Sequence, residues 1–418
     1  MSDHPLPTVF QTTALDPLGR RDPHPRLDRL RRECPIKFDA QMGGYFITRY
    51  ADAKTVLADR DMLRSPDRAA PSARAIRLQR SNPSLRSLDY GKPPGSILLL
   101  DDPAHTRIRA PLAQALYERV ARSRLLIEGV VDGILSPLAE KDEFDVVIDY
   151  AHRIPIHVMC RILGIPREFE PTFRNWSEAA ALALHPMRSR AATVRMEDAQ
   201  NALHEYFLGS FAQRRARPTD DLIGDVVRLQ LDGWAVSDHE LQANLRLLLI
   251  AGNLTTGDLI GSSIWLLLNH RDQLSRLKSE PGRIGRVIEE CLRMESPIDA
   301  TDRVAPGPTT LAGCPIAAGN AITLSLRAAN RDPDVFDRPH EFDIDRTSAG
   351  HVAFGGGAHF CLGAPLARLE TQIAVLAFFQ ELPDLELADP YGSPCWRPLP
   401  PFRGLEKLSV RTMRSGSS

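Results

Sequence analysis

The sequence predicts a mainly α-helical protein with small β-sheets, folded as a single domain over residues 1–418. Three observations point to this class. From Asp52 to about Ala300 apolar residues recur almost throughout with helical spacing. Short β-like runs are confined to two stretches, near 36–50 and 301–326. No internal repeat or low-complexity linker separates two folding units, so the helical majority and the small β portion can share one core.

In chain order, residues 1 to 35 read as an irregular arm entering a short helix around "HPRLDRLRREC". The segment "IKFDAQMGGYFITRY" reads as a hairpin turning at Gly43-Gly44. The long helical stretch is punctuated by Pro- and Ser-rich turns, "SPDRAAPSAR" and "SNPSLRSLDYGKPPGS". Within it, Ser237 and Glu240 fit a capping box. The helix they open runs to about His270, roughly 48 Å at 1.5 Å per residue, which suits a helix crossing the whole molecule. Then "RVAPGPTTLAGCPIAAGNAITLSL" gives short strands, and "NRDPDVFDRPHEFDIDR" is irregular. After "FGGGAHFCLG" comes the helical "APLARLETQIAVLAFFQEL", and strands around "GLEKLSVRTM" close the chain.

Composition is that of an ordinary globular protein: 43% hydrophobic and 25% charged, with Lys+Arg 52 against Asp+Glu 53. Near-zero net charge gives no reason to expect nucleic acid. The polar, proline-punctuated N-terminus supports neither a signal peptide nor a membrane anchor. The most apolar stretch, residues 245–268, is interrupted by Arg246, Asn253 and Asp258, and reads as a buried soluble helix. A cytoplasmic location is expected. None of the cysteines at 34, 160, 291, 314, 361 and 395 forms a CxxC pair, so a zinc ribbon or thioredoxin-type motif is not indicated.

Four constellations could carry chemistry. "AGNLTT" (251–256) puts a glycine in mid-helix, at about 1 kcal/mol against alanine; Gly252, Gly257 and Gly261 mark either a local distortion or plain helix packing. In "EECLR", Glu290 and Arg293 are three apart and can pair on one helix face, as a surface bridge or as something more. In "DDPAHTRIR", Asp102 can cap a helix with Pro103 at its start. His105 and Arg109 then project from one face, toward a shared anion or toward solvent. In "FGGGAHFCLG" the glycines let backbone lie against a flat cofactor, and the helix after Cys361 aims its N-terminus at the sulfur. That suits a metal-bound thiolate better than a nucleophile, for which no partner histidine is signalled.

Together these motifs resemble the cytochrome P-450 (heme-thiolate) superfamily in its soluble bacterial form. "FGGGAHFCLG" is similar to its cysteine loop, "EECLR" to its Glu-x-x-Arg pair, "AGNLTT" to its oxygen-activating helix segment. "DDPAHTRIR" and "TDRVA" resemble its propionate-binding segments, and "NRDPDVF" its meander. The resemblance implies a triangular helical prism with heme b between the long central helix and the cysteine-ligand helix. It makes Cys361 the axial thiolate and metal ligand. His105, Arg109, Arg303 and His359 become propionate donors. Phe354 packs on the ligand side, and Ala251, Gly252 and Gly363 join the cofactor-binding set. Glu290 and Arg293 become structural, and Thr255 the hydroxyl that orders protons toward bound oxygen.

Two departures stand out. Leu254 occupies the position of the family's usual acid; Asp258, three residues past Thr255, or water near Asn253 could substitute. In "RPHEF" the family's usual arginine close to the position of Glu341, which completes a Glu-Arg-Arg triad, is not found, and Arg338 and His340 are the nearby cationic candidates for that role.

The resemblance implies monooxygenation of a mainly apolar organic substrate by hydroxylation or epoxidation. Electrons would come from a separate 2Fe–2S ferredoxin and an NAD(P)H-dependent reductase, with Arg107, Arg119, Arg122 and Arg124 as a candidate basic docking face. Leu254 keeps open a peroxide-driven or nitric-oxide-reducing enzyme. A heme-binding sensor without turnover is the other alternative, against which Thr255 speaks. The substrate pocket is expected from about Arg64 to Leu98, "AAALALHPMR", the central helix and Ile298–Thr301. Asp299 and several arginines are available there for a polar handle.

Overall fold

The computed structural model describes residues 5–73, 95–182, 189–347 and 350–412. The N-terminal part holds α1 (Pro17–Arg21), α2 (His24–Glu33), β1 (Ile36–Asp39), β2 (Gly44–Ile47) and α3 (Tyr50–Ala58). Next come α4 (Ala104–Ala121), α5 (Arg124–Ala139), β3 (Glu143–Asp145) and a π-helical turn at Val146–Ala151. They are followed by α6 (Ile154–Leu163), α7 (Glu170–Ala181), α8 (Arg190–Ala216), α9 (Leu222–Leu231) and α10 (Asp238–Asn269). Then α11 (Arg271–Ser279) and α12 (Ile284–Met294) lead to β4 (Ala300–Val304), β5 (Thr309–Leu311), β6 (Cys314–Ile316), β7 (Ala321–Ser325) and α13 (Leu326–Ala329). The chain ends in α14 (Ala364–Glu381), β8 (Leu385–Leu387), β9 (Cys395–Trp396), β10 (Leu405–Lys407) and β11 (Ser409–Thr412). The expected turn "SNPSLRSLDYGKPPGS" lies mostly outside the described residues.

The two β-rich stretches combine. β1 and β2 form the expected hairpin, and β2 runs parallel to β7, which pairs antiparallel with β4. The sheet order is β1-β2-β7-β4. Gly44 faces Ala321 so closely that an added Cβ would come within 2.9 Å of the Ala321 Cβ, which forbids a side chain there.

α10 is the axis of the molecule. The Ser237 hydroxyl accepts from Glu240 N at 3.2 Å and the Glu240 carboxylate accepts from Ser237 N at 2.9 Å, closing the capping box. α10 packs against α6, α7, α8, α12, α14 and the π-turn. By length and composition it could cross a membrane, but 67% of its most apolar window is buried inside the protein. Its buried leucines belong to one contiguous apolar core whose members range in sequence from Ile97 to Val410. Each fully buried leucine contributes about 2 kcal/mol.

The glycines of α10 divide. A Cβ on Gly257 would stand 2.8 Å from His152 Cδ2, so this glycine is required by close approach to the end of the π-turn. At Gly252 the same Cβ would meet only Met159 Cε, at 3.4 Å. Packing therefore explains Gly257, and Gly252 faces a more open side.

Candidate functional site

Cys361 lies between a 3-10 turn at Gly357–His359 and the start of α14. The loop is closed by Cys361 N donating to Phe354 O at 3.0 Å and Gly355 N donating to Val352 O at 2.8 Å. Gly355 and Gly357 take φ of +70° and +63°, a region glycine enters without strain. A Cβ on Gly357 would sit 2.0 Å from the Leu57 carbonyl oxygen, so the glycine run also seats the loop against the end of α3.

The sulfur sits at the N-terminus of α14. Burial pushes the Cys361 thiol up, while the Gly363 and Ala364 N–H groups and the Arg109 and Arg368 guanidiniums pull it the other way. These are the donors a metal-bound thiolate needs. Arg368 lies 4.6 Å over the Phe354 ring and is fixed by Glu289 at 2.7 and 2.9 Å. Arg109 donates to the Phe360 carbonyl, which ties α4 to the cysteine loop.

The four expected carboxylate donors converge beside that loop. The rings of His105 and His359 lie 4.2 Å apart. His105 is 2% exposed, and its Nε2 is buried with no hydrogen-bond partner among the described residues. Arg303 is 3% exposed and donates to the Asp302 carbonyl at 2.9 Å. Burial pushes Arg303 down to about 10, and Arg64 pushes the same way. Burial, then His105, Arg303, Arg64 and Arg109, push His359 down to about 3. Arg64 is a fifth member that the sequence reading placed only at the edge of the pocket. Its guanidinium donates to Leu98 O at 3.1 Å and Asp302 O at 2.6 Å. Buried basic groups that suppress one another's charge, with an orphaned imidazole nitrogen among them, fit a group carrying carboxylates.

On α10 an accessible stripe interrupts the buried faces. Arg246, Leu247, Ile250, Ala251, Leu254 and Thr255 are all partly exposed, whereas Leu245, Leu248, Leu249 and Thr256 to Ile264 are buried. Thr255 Oγ1 donates to Ala251 O at 2.7 Å. Leu254 brings an apolar side chain to the stripe.

Asp258, which the sequence offered as a possible substitute for the missing acid, is not part of the stripe. Its carboxylate is wholly buried, accepting from Arg397 and lying 3.1 Å from His152 Nε2. Those partners come from the β9 segment and the end of the π-turn, so the carboxylate is engaged by ion pairing. Asn253 is likewise engaged, donating to Ser177 Oγ on α7 at 3.1 Å.

Glu290 and Arg293 are a buried bidentate pair, at 2.7 Å on both contacts. Neither Arg338 nor His340 completes the triad. Arg338 is exposed and pairs with Glu341, and His340 pairs with Asp28 at 2.9 Å. The third member is Arg346, whose Nε donates to Glu290 Oε1 at 3.1 Å.

The candidate docking arginines are largely occupied. Arg107 pairs with Glu240, Arg119 with Asp220 and Asp225, and Arg124 with Glu128; Arg122 donates to the Glu118 carbonyl. Asp299, considered as a polar handle, is bound by Arg327. Most of the expected pocket loop (74–94) and residues 183–188 lie outside the described residues.

Comparison with known proteins agrees with this geometry. The Cytochrome P450 family model matches residues 144–383. Cytochrome P450 107B1 of Saccharopolyspora erythraea is 36% identical over 406 residues, covering 95% of this chain and 97% of that protein. The 6-deoxyerythronolide B hydroxylase of the same species is 32% identical over 384 residues, 90% of this chain and 92% of that one. The crystal structure of epothilone D-bound cytochrome P450epoK has a TM-score of 0.85 at 29% identity, over 96% of this chain and 99% of that one. A cysteine loop at a helix N-terminus, a buried basic cluster beside it and near full-length relatives in both sequence and structure place this chain in the cytochrome P450 family, whose cofactor is heme-thiolate.

Proposed function

We propose that this oxidoreductase inserts one atom of O₂ into a mainly apolar organic molecule, by hydroxylation or epoxidation. For hydroxylation the balance is R–H + O₂ + 2e⁻ + 2H⁺ giving R–OH + H₂O. The two electrons come singly from a separate 2Fe–2S ferredoxin and its NAD(P)H-dependent reductase. The relatives named above, a 6-deoxyerythronolide B hydroxylase and an enzyme holding epothilone D, support a small organic substrate.

Heme b is the form we assign. Two propionates match the basic cluster, and the lack of a CxxC pair speaks against covalent attachment. Cys361 would hold the iron, and His105, Arg109, Arg303 and His359 the carboxylates, with Arg64 at the edge of the cluster. Heme, when bound, supplies the activation of oxygen that no side chain here can perform. The rest falls to the chain itself. Leu247, Ile250 and Leu254 exclude water from the accessible side of α10, and Thr255 presents Oγ1 there, oriented by donating its proton to the Ala251 carbonyl and left free to accept. Six cysteines, all free, suit a reducing cytoplasm.

The observation that carries the reading is the Thr255 hydroxyl on the accessible stripe. Holoenzyme supplied with ferredoxin, reductase, NAD(P)H and O₂ should yield product in proportion to NAD(P)H consumed. Thr255→Val should keep NAD(P)H consumption while product per NAD(P)H falls about tenfold and peroxide rises. An unchanged yield would remove Thr255 from the chemistry.

A second reading rests on Leu254 and on the ion-paired Asp258, which leave no carboxylate of α10 beside Thr255. It is a peroxide-driven or nitric-oxide-reducing enzyme. Turnover with peroxide or nitric oxide, and none with O₂ and the electron chain, would select it.

A further inference from the structure

Arg246 is an arginine with no counter-charge among the described residues, in a protein whose other core arginines are nearly all paired. It stands at the N-terminal end of the accessible stripe of α10, one turn before Ile250 and next to Leu247. Among the described residues it makes no ion pair, and its Nη1 is buried without a hydrogen-bond partner. Burial alone pushes its guanidinium down to about 10, with no neighbouring charge offsetting that effect. One turn earlier on the same face is Gln242, 0% exposed, with neither amide atom hydrogen-bonded among the described residues. A half-buried guanidinium with no ion pair among the described residues, beside an unsatisfied amide, is costly unless something fills both needs.

The stripe below Arg246 is apolar down to Ala251 and Thr255. Arg246 precedes Thr255 by nine residues, about 13.5 Å along the axis and half a turn around it, so the two mark opposite edges of the accessible face. The polar groups sit at one end and the proposed reacting hydroxyl at the other, with Leu247, Ile250 and Leu254 between.

We propose that Arg246, assisted by Gln242, binds the carboxylate of an otherwise apolar substrate and sets which carbon reaches Thr255. The inference rests on the monooxygenase reading and narrows its substrate class. A planar carboxylate matches the guanidinium fork, and its single negative charge balances a single cation. Asp299, held by Arg327, offers no competing handle.

The test is equilibrium binding to the purified holoprotein, read from the heme absorbance and by calorimetry. The probes are straight-chain acids from decanoic to hexadecanoic, each against its methyl ester. At least one acid should bind about tenfold or more tightly than its ester. Arg246→Met should abolish that preference, leaving ester affinity within about twofold, and Arg246→Lys should keep part of it. Equal binding of acids and esters by the unaltered protein, a preference that survives Arg246→Met, or no binding by any acid would each overturn the proposal. The reduced, carbon-monoxide-bound spectrum separates causes. If every variant shows thiolate ligation, the site is intact and only the carboxylate assignment fails. If the unaltered protein lacks it, the heme-thiolate reading itself fails.

Discussion

Asp258 is the one carboxylate within a helical turn of Thr255, yet its surroundings give it a structural task. It is wholly buried, with Arg397 and His152 turned toward it. Removing its charge leaves a partly buried guanidinium without its counter-ion, a change that costs about 3 kcal/mol. Asp258→Asn should therefore lower the urea midpoint of the holoprotein while product per NAD(P)H stays as it was. Retained stability with collapsed yield would instead restore the relay role. The candidate cofactor residues could be singled out in the sequence because their signals are local. Cys361 and His359 share one loop, His105 and Arg109 one helical turn, and each fragment carries a recognisable spacing. Arg64 was not legible as a site residue. Its contact with the Asp302 carbonyl spans 238 residues, and in sequence it is an ordinary arginine in a turn. The ion pairing of Asp258 was hidden for a related reason: helical spacing fixes the face a residue leaves from, and the fold decides what waits there.

Among elements, the Glu-x-x-Arg pair of α12 shows how a helix is locked to a stretch without regular structure. Arg293 donates to the carbonyls of Asn330, Pro339 and Glu341, and Arg346 closes on Glu290 from the other side while also donating to the Glu341 carbonyl. The irregular stretch thus has its backbone oxygens satisfied by two arginines (the service a strand partner would otherwise give). Arg346 has 7% of its side chain exposed and Arg338 has 55%. That difference decides their worth. Arg346→Met should cost about 3 kcal/mol, and Arg338→Met less than about 1 kcal/mol. Thermal midpoints of the two variants, measured side by side, check this; equal losses would mean that the triad is not what holds the stretch. Sequence pattern gave Glu290 and Arg293 because they share a helix period. It missed Arg346 because "HEFDIDR" has no periodicity to mark which cation turns inward. The helices, the hairpin and the 300–325 strands follow from pattern in the same way. The parallel pairing of β2 with β7 and the π-turn do not, since one is a long-range contact and the other looks like plain helix in sequence.

Across the whole molecule, distant segments meet in a buried ionic cluster on which the acid stability should depend. Glu295, just past α12, is contacted by Arg327, Arg331 and Arg403, and Arg403 reaches back to the carbonyls of Arg20 and Arg21 near the N-terminus. His24 of α2 is packed beside this cluster, buried, with neither ring nitrogen hydrogen-bonded among the described residues. His340 meets it edge-on at 5.7 Å and is itself paired with Asp28. Burial, then Arg331, Arg327, Arg403 and His340, hold the His24 imidazole well below its ordinary value of 6.5. The folded protein thus keeps it neutral in the range where the unfolded chain binds a proton. Where the unfolded state binds more protons, stability rises with pH. The contribution of His24 is therefore present above about pH 6.5 and is lost as the pH falls below it, by about 1.4 kcal/mol between pH 7.5 and 5.5. Urea unfolding of the unaltered protein and of His24→Leu, at both pH values, isolates this one titration from all others. The variant should lose about 1.4 kcal/mol less over that interval. Parallel losses would show that His24 takes up its proton inside the fold, with a carboxylate of the cluster, Glu295, Asp299 or Asp28, turning to receive it.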